Sequence, residues 1–488
     1  MALMTTTAVE APAARTDAVA ATARGGLANL LGAGLAGVSG VAVTWLVARG
    51  LGPVQAGGFF AATAAFTLVG GVARLGTMTG LVYWPARLRA LSTPELIGAC
   101  LRASLPPVAL VGGVLAVLTY LFAPTVTPEY AQPLRALAVF LPVAALTDAL
   151  LAASRGYRQM RPTVVLDKIV RPAAQVLLIG AVFAGTDATG WWAFAWALPY
   201  VPVCAVAGYL VWRQVRSHPS ARTSMMVPFW RFTAPRAVAN MAQTALQRID
   251  VLLVAALAGL APAAAYAVAG RFVIVGQLAN GAISQATQPR LAEALAVGDL
   301  DGARRLYRSA TSWLILVAWP LHLTILQFPE LYLSFFGAHY RYAAPAVRLL
   351  ALAMLLATGC GMVDMVLAMG GRTWWNLGNV LAALVTTVAF DLVLIPPYGI
   401  VGAAAGLACS VAVNNLLPLA QIMIKMRLHP FGGATFAAAS LTLLTFGAVP
   451  AALHAYPLVA IGAGAVAYLL AVLALRDRLP LALRATVS

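Results

Sequence analysis

The sequence contains little charge. Asp, Glu, Lys and Arg make up 10% of its 488 residues, whereas soluble domains contain about 25%. Hydrophobic residues reach 61%, and apolar runs of about 20 residues, the length that crosses a bilayer, recur from end to end. These runs leave no segment for a soluble domain. The composition therefore predicts an all-α polytopic membrane protein.

Several catalytic signatures are missing. The sequence has two lysines, Lys168 and Lys425, and no glycine-rich loop ending in Gly-Lys, which disfavours nucleotide hydrolysis. The four cysteines have no paired spacing, so neither a zinc site nor a disulfide framework is predicted; they are Cys100, Cys204, Cys360 and Cys409. No histidine cluster or facing pair of carboxylates suggests a metal-dependent reaction. We expect a protein that is not an enzyme and that carries no cofactor or metal.

The positions of the lysines and arginines explain the positive net charge. The formal net charge is +17, which in a soluble chain would suggest a nucleic-acid partner. Here 25 of the 32 lysines and arginines lie in, or beside, alternate connections between apolar runs. Cytoplasmic loops of membrane proteins carry such an excess. The pattern predicts a plasma-membrane protein with both termini in the cytoplasm, an even number of spans and no nucleic-acid partner.

The apolar runs predict about fourteen spans. The first six are predicted at about 26–48, 58–83, 97–122, 132–153, 164–184 and 190–212. The next six are predicted at about 229–257, 264–286, 309–328, 345–368, 374–395 and 400–424, and two more at 432–452 and 457–475. The predicted domains are a loose cytoplasmic tail (1–25), an N-lobe (26–212), a cytoplasmic linker (213–228), a C-lobe (229–424) and a C-terminal part (425–488) with two spans and a cytoplasmic tail.

Weak internal similarity relates the two sets of six spans. Three matches occur in the same order, at separations of 207, 204 and 216 residues: Gly52 with Gly259, Pro85 with Pro289, and Asp148 with Asp364. Six spans return the chain to its starting side, so the halves would be parallel repeats about an axis along the membrane normal. The sequence therefore predicts two six-helix lobes around a central cavity.

A polar stripe crosses the span predicted from Phe229 to Leu257. Its members recur at steps of four, three, four and three, which places them on one helix face; they are Arg236, Asn240, Gln243, Gln247 and Asp250. Because lipid cannot solvate amides and a carboxylate, this face must look into a bundle or a water-filled cavity. Such a stripe is typical of transporters, although hydrogen bonding between helices would also account for it.

Two further stripes lie on the second and eighth spans. The second span places Thr63, Thr67, Gly70, Arg74 and Thr77 on one face. The eighth span places Gln277, Asn280, Ser284 and Gln288 on one face, with Arg271 nearer its outer end and off that face. We expect both helices to line the same cavity.

The role of Arg74 has two interpretations. Its guanidinium could bind a phosphate, for which its geometry is suited, or it could form a structural pair with Asp148 or another buried carboxylate. Arg248 lies off the polar face of its own helix and could serve a neighbouring helix. Asp250 lies on the face and could either pair with an arginine or carry a coupling proton.

Two other intramembrane carboxylates suggest tethers. Asp148 and Asp364 lie a turn or two from Arg155 and Arg372 at the cytoplasmic ends of their spans. An ion pair would lower the cost of keeping each charge in the membrane. We therefore predict that these carboxylates hold the two arginines and do not bind a ligand.

Four stretches resemble the multidrug/oligosaccharidyl-lipid/polysaccharide (MOP) exporter superfamily, specifically its Wzx-like polysaccharide flippases. They are Ala48–Pro53 with Gly57–Phe59, Arg248–Asp250 with Tyr266–Phe272, Pro289–Leu291 with Gly298 and Asp299, and Ile395–Ala404. The most informative is the Tyr-Gly-x-x-Gly-Ala-Ala run within the last stretch. Together the four stretches cover most of the chain.

This resemblance implies alternating access that moves an undecaprenyl-diphosphate-linked oligosaccharide from the inner to the outer leaflet. Arg74, Arg248 and Arg271 are the cations that could contact the diphosphate. Membrane lipids, a polysaccharide polymerase and glycosyltransferases would be partners. Two alternatives stay open. A drug/cation antiporter of the multidrug and toxin extrusion (MATE) type would have an acidic residue in its first span, but Gly25 to Val47 has none. A membrane scaffold of a glycan-assembly complex would not transport.

Overall fold

The computed structural model describes residues 12–157, 159–216 and 223–474, and within these ranges every regular element is helical. The first nine α-helices form what we term the N-terminal half. They are α1 (Pro12–Gly50), α2 (Pro53–Ala73), α3 (Thr77–Ala90), α4 (Leu96–Val126), α5 (Ala131–Ala138), α6 (Leu141–Gly156), α7 (Arg171–Phe183), α8 (Thr189–Ala197) and α9 (Tyr200–Arg216). A short 3₁₀ helix (Pro128–Tyr130) precedes α5, and a π-helical segment (Thr163–Val170) leads into α7.

The next ten α-helices form the C-terminal half. They are α10 (Met226–Leu246), α11 (Ile249–Leu257), α12 (Leu260–Ala269), α13 (Val273–Ala296), α14 (Leu300–Gln327), α15 (Pro329–Phe336), α16 (Ala344–Gly359), α17 (Val363–Met369), α18 (Thr373–Tyr398) and α19 (Ile400–Met426). Two 3₁₀ segments, Gly270–Phe272 and Ala338–Ala343, lie before α13 and α16. The chain continues with α20 (Gly433–Thr442), a π segment (Leu443–Ala448), α21 (Val449–Ala452) and α22 (Pro457–Ala474).

The predicted fold class is confirmed. Within the described ranges, eleven helical segments are long and apolar enough to cross a membrane, and a twelfth is obtained if α5 and α6, bent by 50°, form one span. The two remaining predicted spans, at 164–184 and 229–257, are also largely helical. The first carries Asp167, Lys168 and Arg171, and the second is interrupted. The structure is thus consistent with 12 to 14 spans.

Several spans that we predicted as continuous are broken, and the second and the seventh are two of them. The second span ends as α2 at Ala73 and resumes as α3 at Thr77, after a turn in which Leu75 and Gly76 have φ of 49° and 70°. The seventh is interrupted at Gln247 and Arg248, between α10 and α11. Hydrophobic periodicity did not reveal these breaks, because the polar residues keep a helical spacing in the sequence across the two or three residues that leave the helix.

The predicted N-terminal tail also needs correction. We expected residues 1–25 to be loose, but α1 begins at Pro12. Residues 1–11 lie outside the described residues, as do 217–222 of the predicted linker and the tail beyond Ala474. The division into two lobes at 26–212 and 229–424 stays a prediction.

The two halves share a core at one end of the molecule. The largest cluster of buried hydrophobic residues combines Phe59 and Trp192 of the N-terminal half with Tyr266 and Phe336 of the C-terminal half. This is the end predicted to be extracellular. At the other end, one smaller cluster joins the N-terminal half to Phe229 of α10, and another lies within the C-terminal half. The halves are therefore joined most firmly at the outer end, which leaves room for cavities between them further in.

Candidate functional site

Three adjoining cavities lie where the two halves meet. The C-terminal cavity, of about 270 Å³, is bounded by α10 to α13, α16 and α19. The middle cavity, of about 630 Å³, lies between α3 and α10. The N-terminal cavity, of about 350 Å³, is bounded by α2, α6, α7 and α9. Gln243 lines the first and second, Arg74 the second and third, and Arg248 the first and third. The three cavities thus converge on these residues.

Eight of the nine predicted site residues line these cavities. They are Arg74, Asn240, Gln243, Gln247, Arg248, Asp250, Arg271 and Gln277. The ninth, Asn280, is exposed one turn further along α13 and lines none of the three, although it accepts a hydrogen bond from Ser284. The structure therefore gathers the predicted residues of three helices around one space, while their roles stay predictions.

The N-terminal cavity contains two ion pairs. Arg74 Nη1 lies 3.3 Å from Asp148 Oδ2, because the turn after α2 directs Arg74 toward α6. Arg171 Nη2 lies 2.6 Å from Asp167, and its Nη1 donates to the Tyr200 hydroxyl at 2.6 Å. Asp148 therefore pairs with Arg74, which corrects the predicted tether to Arg155.

The sequence interpretation missed part of this cavity. Asp167, Arg171 and Gln175 line it, yet we assigned Arg171 to a cytoplasmic connection when counting charges. Their spacing of four residues is a signal that could have identified a polar face. Clustering with Arg155, Arg161 and Lys168 obscured that signal.

Arg248 and Arg271 have no charged partner. Arg248 lies in the break between α10 and α11, and Arg271 lies in the 3₁₀ turn between α12 and α13. Neither forms an ion pair or a hydrogen bond through its side chain with any described residue, and the Nε of each is buried. The Arg271 guanidinium carbon lies 5.7 Å from the centre of the Phe60 ring. Removing a guanidinium from water without a partner is costly.

The C-terminal half contains two buried carboxylates. Asp250, at 6% exposure, accepts hydrogen bonds from the Tyr266 hydroxyl at 2.8 Å and from the Val251 amide at 2.9 Å. Asp391 on α18 is fully buried, and neither of its carboxylate oxygens has a hydrogen-bond partner among the described residues. The hydroxyl of Thr387, one turn earlier, is likewise buried without a partner.

The cavity walls carry more positive than negative charge. Five arginines and three aspartates line the three cavities: Arg74, Arg155, Arg171, Arg248 and Arg271, with Asp148, Asp167 and Asp250. Arg74 and Arg171 are paired, which leaves the excess of positive charge on the other three. The sequence alone left the sign of the cavity undecided.

Asp364 is not tethered as we predicted. Its side chain is exposed and makes no ion pair with a described residue. The guanidinium of Arg372 instead lies 4.4 Å from the centre of the Trp375 ring. The repeat placed Asp364 opposite Asp148 in sequence, but α17 is a separate short helix, so the two carboxylates differ in environment.

Contacts join the two halves toward both ends of the molecule. At the predicted cytoplasmic end, the rings of Tyr83 on α3 and Phe232 on α10 stack with centroids 4.0 Å apart. At the other end, Arg49 on α1 donates hydrogen bonds of 3.0 to 3.2 Å to the carbonyls of Ser334 and Phe335. The cavities therefore lie between two sets of contacts that join the halves.

Comparison with known proteins identifies the fold. A family model described as MatE matches residues 235–396, while no curated protein matches the sequence. A structure of the lipid II flippase MurJ in an inward closed conformation is 11% identical, covers 92% of this chain and 98% of its own, and has a TM-score of 0.73. At this identity the likeness shows the fold alone.

Two other structures agree. An inward-facing multidrug resistance MATE family transporter of the MOP superfamily is 14% identical, with coverage of 85% of this chain and 99% of its own and a TM-score of 0.68. A MOP superfamily transporter from Pyrococcus furiosus is 15% identical, with coverage of 83% and 95% and a TM-score of 0.60. The chain thus has the fold that these MOP superfamily transporters share.

Proposed function

We propose that this protein flips a polyprenyl-diphosphate-linked oligosaccharide from the inner to the outer leaflet by alternating access, for export of a cell-surface polysaccharide. The observation that carries the proposal is that Arg248, which forms no ion pair, lines one cavity together with Arg271 and another together with Arg74. A transporter of organic cations would be poorly served by this excess of positive charge.

A diphosphate fits this site chemically. Guanidinium groups bind phosphate oxygens through two parallel hydrogen bonds, and such charge-assisted bonds are strong where water is excluded. The diphosphate would offset the cost of burying two unpaired cations. The middle cavity, at about 630 Å³, lies within the usual range of about 300 to 1,000 Å³ for ligand pockets and could hold the first sugars, with Asn240 and Gln243 as hydrogen-bonding groups.

The buried carboxylates would couple transport to a gradient of protons or sodium ions. We propose that Asp250, which we predicted as the titrating group, acts with Asp391 as a site for a proton or a sodium ion. Asp391 and Thr387 offer three buried oxygen atoms without partners, and α11 packs against α18. The N-terminal half differs, because its carboxylates Asp148 and Asp167 are neutralised by arginines of the chain itself.

The MATE-type antiporter is the second candidate. It is favoured by the match of the family model to residues 235–396 and by the carboxylates of the C-terminal half, which could bind a cation. Its cargo would have to avoid Arg248 and Arg271, whereas a diphosphate would need them. The two functions therefore differ in the effect of removing these arginines.

Reconstituted transport tests the proposal. Arg248→Gln and Arg271→Gln should each reduce flipping of a lipid-linked oligosaccharide by at least about tenfold, the loss of one charge-assisted contact. Arg135→Gln is the matched control, because that side chain contacts Tyr120 and lines none of the three cavities. Unchanged flipping in both cavity variants would refute the site. Export of an organic cation that survives both substitutions would instead support the antiporter.

A nontransporting scaffold is separated by a different variant. Gly70 lines the N-terminal cavity, and an added Cβ would meet only Leu141 at 3.9 Å. Gly70→Leu should therefore fold while its side chain fills part of the cavity. The substitution should abolish transport but would leave a scaffold's polymer assembly intact, so undiminished export in this variant would count against a flippase.

A further inference from the structure

Arg74 and Arg171 are held with different strength. Arg171 has two contacts of 2.6 Å, to Asp167 and to Tyr200. The Arg74–Asp148 pair is a single contact of 3.3 Å. Charge-assisted N–H···O bonds are normally about 2.7 to 2.9 Å. Asp148 is thus a weak partner for an arginine that faces two cavities.

The Arg74–Asp148 and Arg171–Asp167 pairs lie in the same cavity as Arg248. The N-terminal cavity is lined by Arg74, Arg171 and Arg248, and by Asp148 and Asp167. Asp167 and Tyr200 hold Arg171, and Asp148 holds Arg74. Among the described residues that line this cavity, Arg248 is therefore the one arginine without an ion pair. Displacing Asp148 would present a second one.

We propose that Asp148 is an internal competitor that sets which anions this site accepts. This inference rests on the proposed function. A small monoanion carries the same charge as Asp148, and Asp148 has the advantage of being attached to the chain at a high effective concentration. A monoanion therefore gains Arg248 alone. A diphosphate carries more charge and can bridge Arg74 and Arg248, so it displaces Asp148.

The same competition has a second consequence. Once displaced, the Asp148 carboxylate lies beside a bound anion, and repulsion between like charges weakens binding. Asp148 thus favours recapture of Arg74 and release of the substrate. It acts as a positioning residue through Arg74, and it selects groups with two or more negative charges over carboxylates and other monoanions.

Binding to the purified full chain in detergent tests the proposal. The probes are inorganic pyrophosphate and farnesyl diphosphate, which separate a free anion from a lipid headgroup, and titration calorimetry gives both affinities. Asp148→Asn should bind each probe about tenfold more tightly than the unsubstituted protein, within the usual range of coupling between sites. The gain should be equal for the two probes, because the substitution acts on the headgroup.

Two matched variants separate competition from general charge. Asp167→Asn removes the same charge from the same cavity, but Tyr200 still holds Arg171, so its gain should be smaller than that of Asp148→Asn. In a double-mutant cycle, Arg74→Gln should remove the gain caused by Asp148→Asn. Equal gains for Asp148→Asn and Asp167→Asn would show a general field effect and overturn the proposal.

Chemical replacement of the carboxylate gives an independent measurement. Formate resembles the lost group, so in Asp148→Ala it should weaken pyrophosphate binding, relative to gluconate at the same ionic strength, and it should have little effect on the unsubstituted protein. Asp148→Glu keeps the charge and should not bind pyrophosphate more tightly than the unsubstituted protein. This variant provides a measurement at the same position if the neutral variants are unstable.

The outcomes separate this inference from the proposed function. If the unsubstituted protein binds both probes and Asp148→Asn binds them no better, the competition is refuted while the diphosphate site stands. If no variant binds either probe, the proposed function fails and this inference fails with it.

Discussion

Asp391 should carry a large unfavourable free energy when no cation is bound. It is fully buried and both carboxylate oxygens lack partners among the described residues, while the like charge of Asp250 acts on it. Removing a carboxylate from water costs several kcal/mol after relaxation. Asp391→Asn keeps the shape and removes the charge. We therefore expect the free energy of unfolding of this variant to be about 2 to 4 kcal/mol higher than that of the unsubstituted protein in alkaline, sodium-free buffer, since an amide costs less to bury than a carboxylate.

A bound cation should reverse that difference. Binding at 100 times the dissociation constant stabilises the folded state by about 2.7 kcal/mol. Sodium, if it is the coupling ion, or acidification, if a proton is, should therefore raise the stability of the unsubstituted protein. The stability of Asp391→Asn should respond little to either. Unfolding in detergent, in sodium against choline buffers at acidic and alkaline pH, measures both quantities.

Glu129→Gln provides the control. That carboxylate is exposed and forms no ion pair with any described residue, so neither the stability nor its response to cations should change. The reasoning would be refuted if Asp391→Asn were no more stable than the unsubstituted protein in alkaline choline buffer, or if it kept the full response to both sodium and pH.

Three further predictions concern the contacts at the two ends. An added Cβ on Gly57 would overlap the carbonyl oxygen of Leu260, so Gly57→Val should separate α2 from α12. A membrane-impermeant reagent should then label a cysteine introduced at the outer face more strongly, and unchanged labelling would contradict this contact. Phe232→Ala removes the stack with Tyr83 and should speed labelling of an Asn240→Cys reporter from the cytoplasmic side severalfold, while equal rates would exclude the stack as a barrier. Arg49→Ala removes hydrogen bonds from a charged donor, each worth about 1.5 to 3 kcal/mol when desolvated and less at this exposed position. The substitution should therefore favour opening of the outer end, which distances between spin labels measure. An unaltered distance distribution would show that other contacts hold this end.

The halves of the site differ in how well the sequence predicted them. The stripe of Asn240, Gln243 and Gln247 was visible because helical periodicity is local and lipid tolerates no such face. Arg171 was not visible as a cavity residue, because basic neighbours in the chain resembled a cytoplasmic connection. Its position follows from the π-helical turn before α7, which no hydropathy pattern predicts.

The amino-acid sequence by itself determined a helical membrane protein, its approximate spans and eight of the polar residues that line the cavities. Hydrophobicity and periodicity act along the chain, and they suffice for these features. Only the tertiary structure decided that α2 and α10 end early, that Arg74 pairs with Asp148, that Arg248 has no partner, and that Asp391 is buried with unpaired oxygens. These features depend on which distant helices pack together, since an ion pair or a buried charge is defined by groups far apart in the sequence.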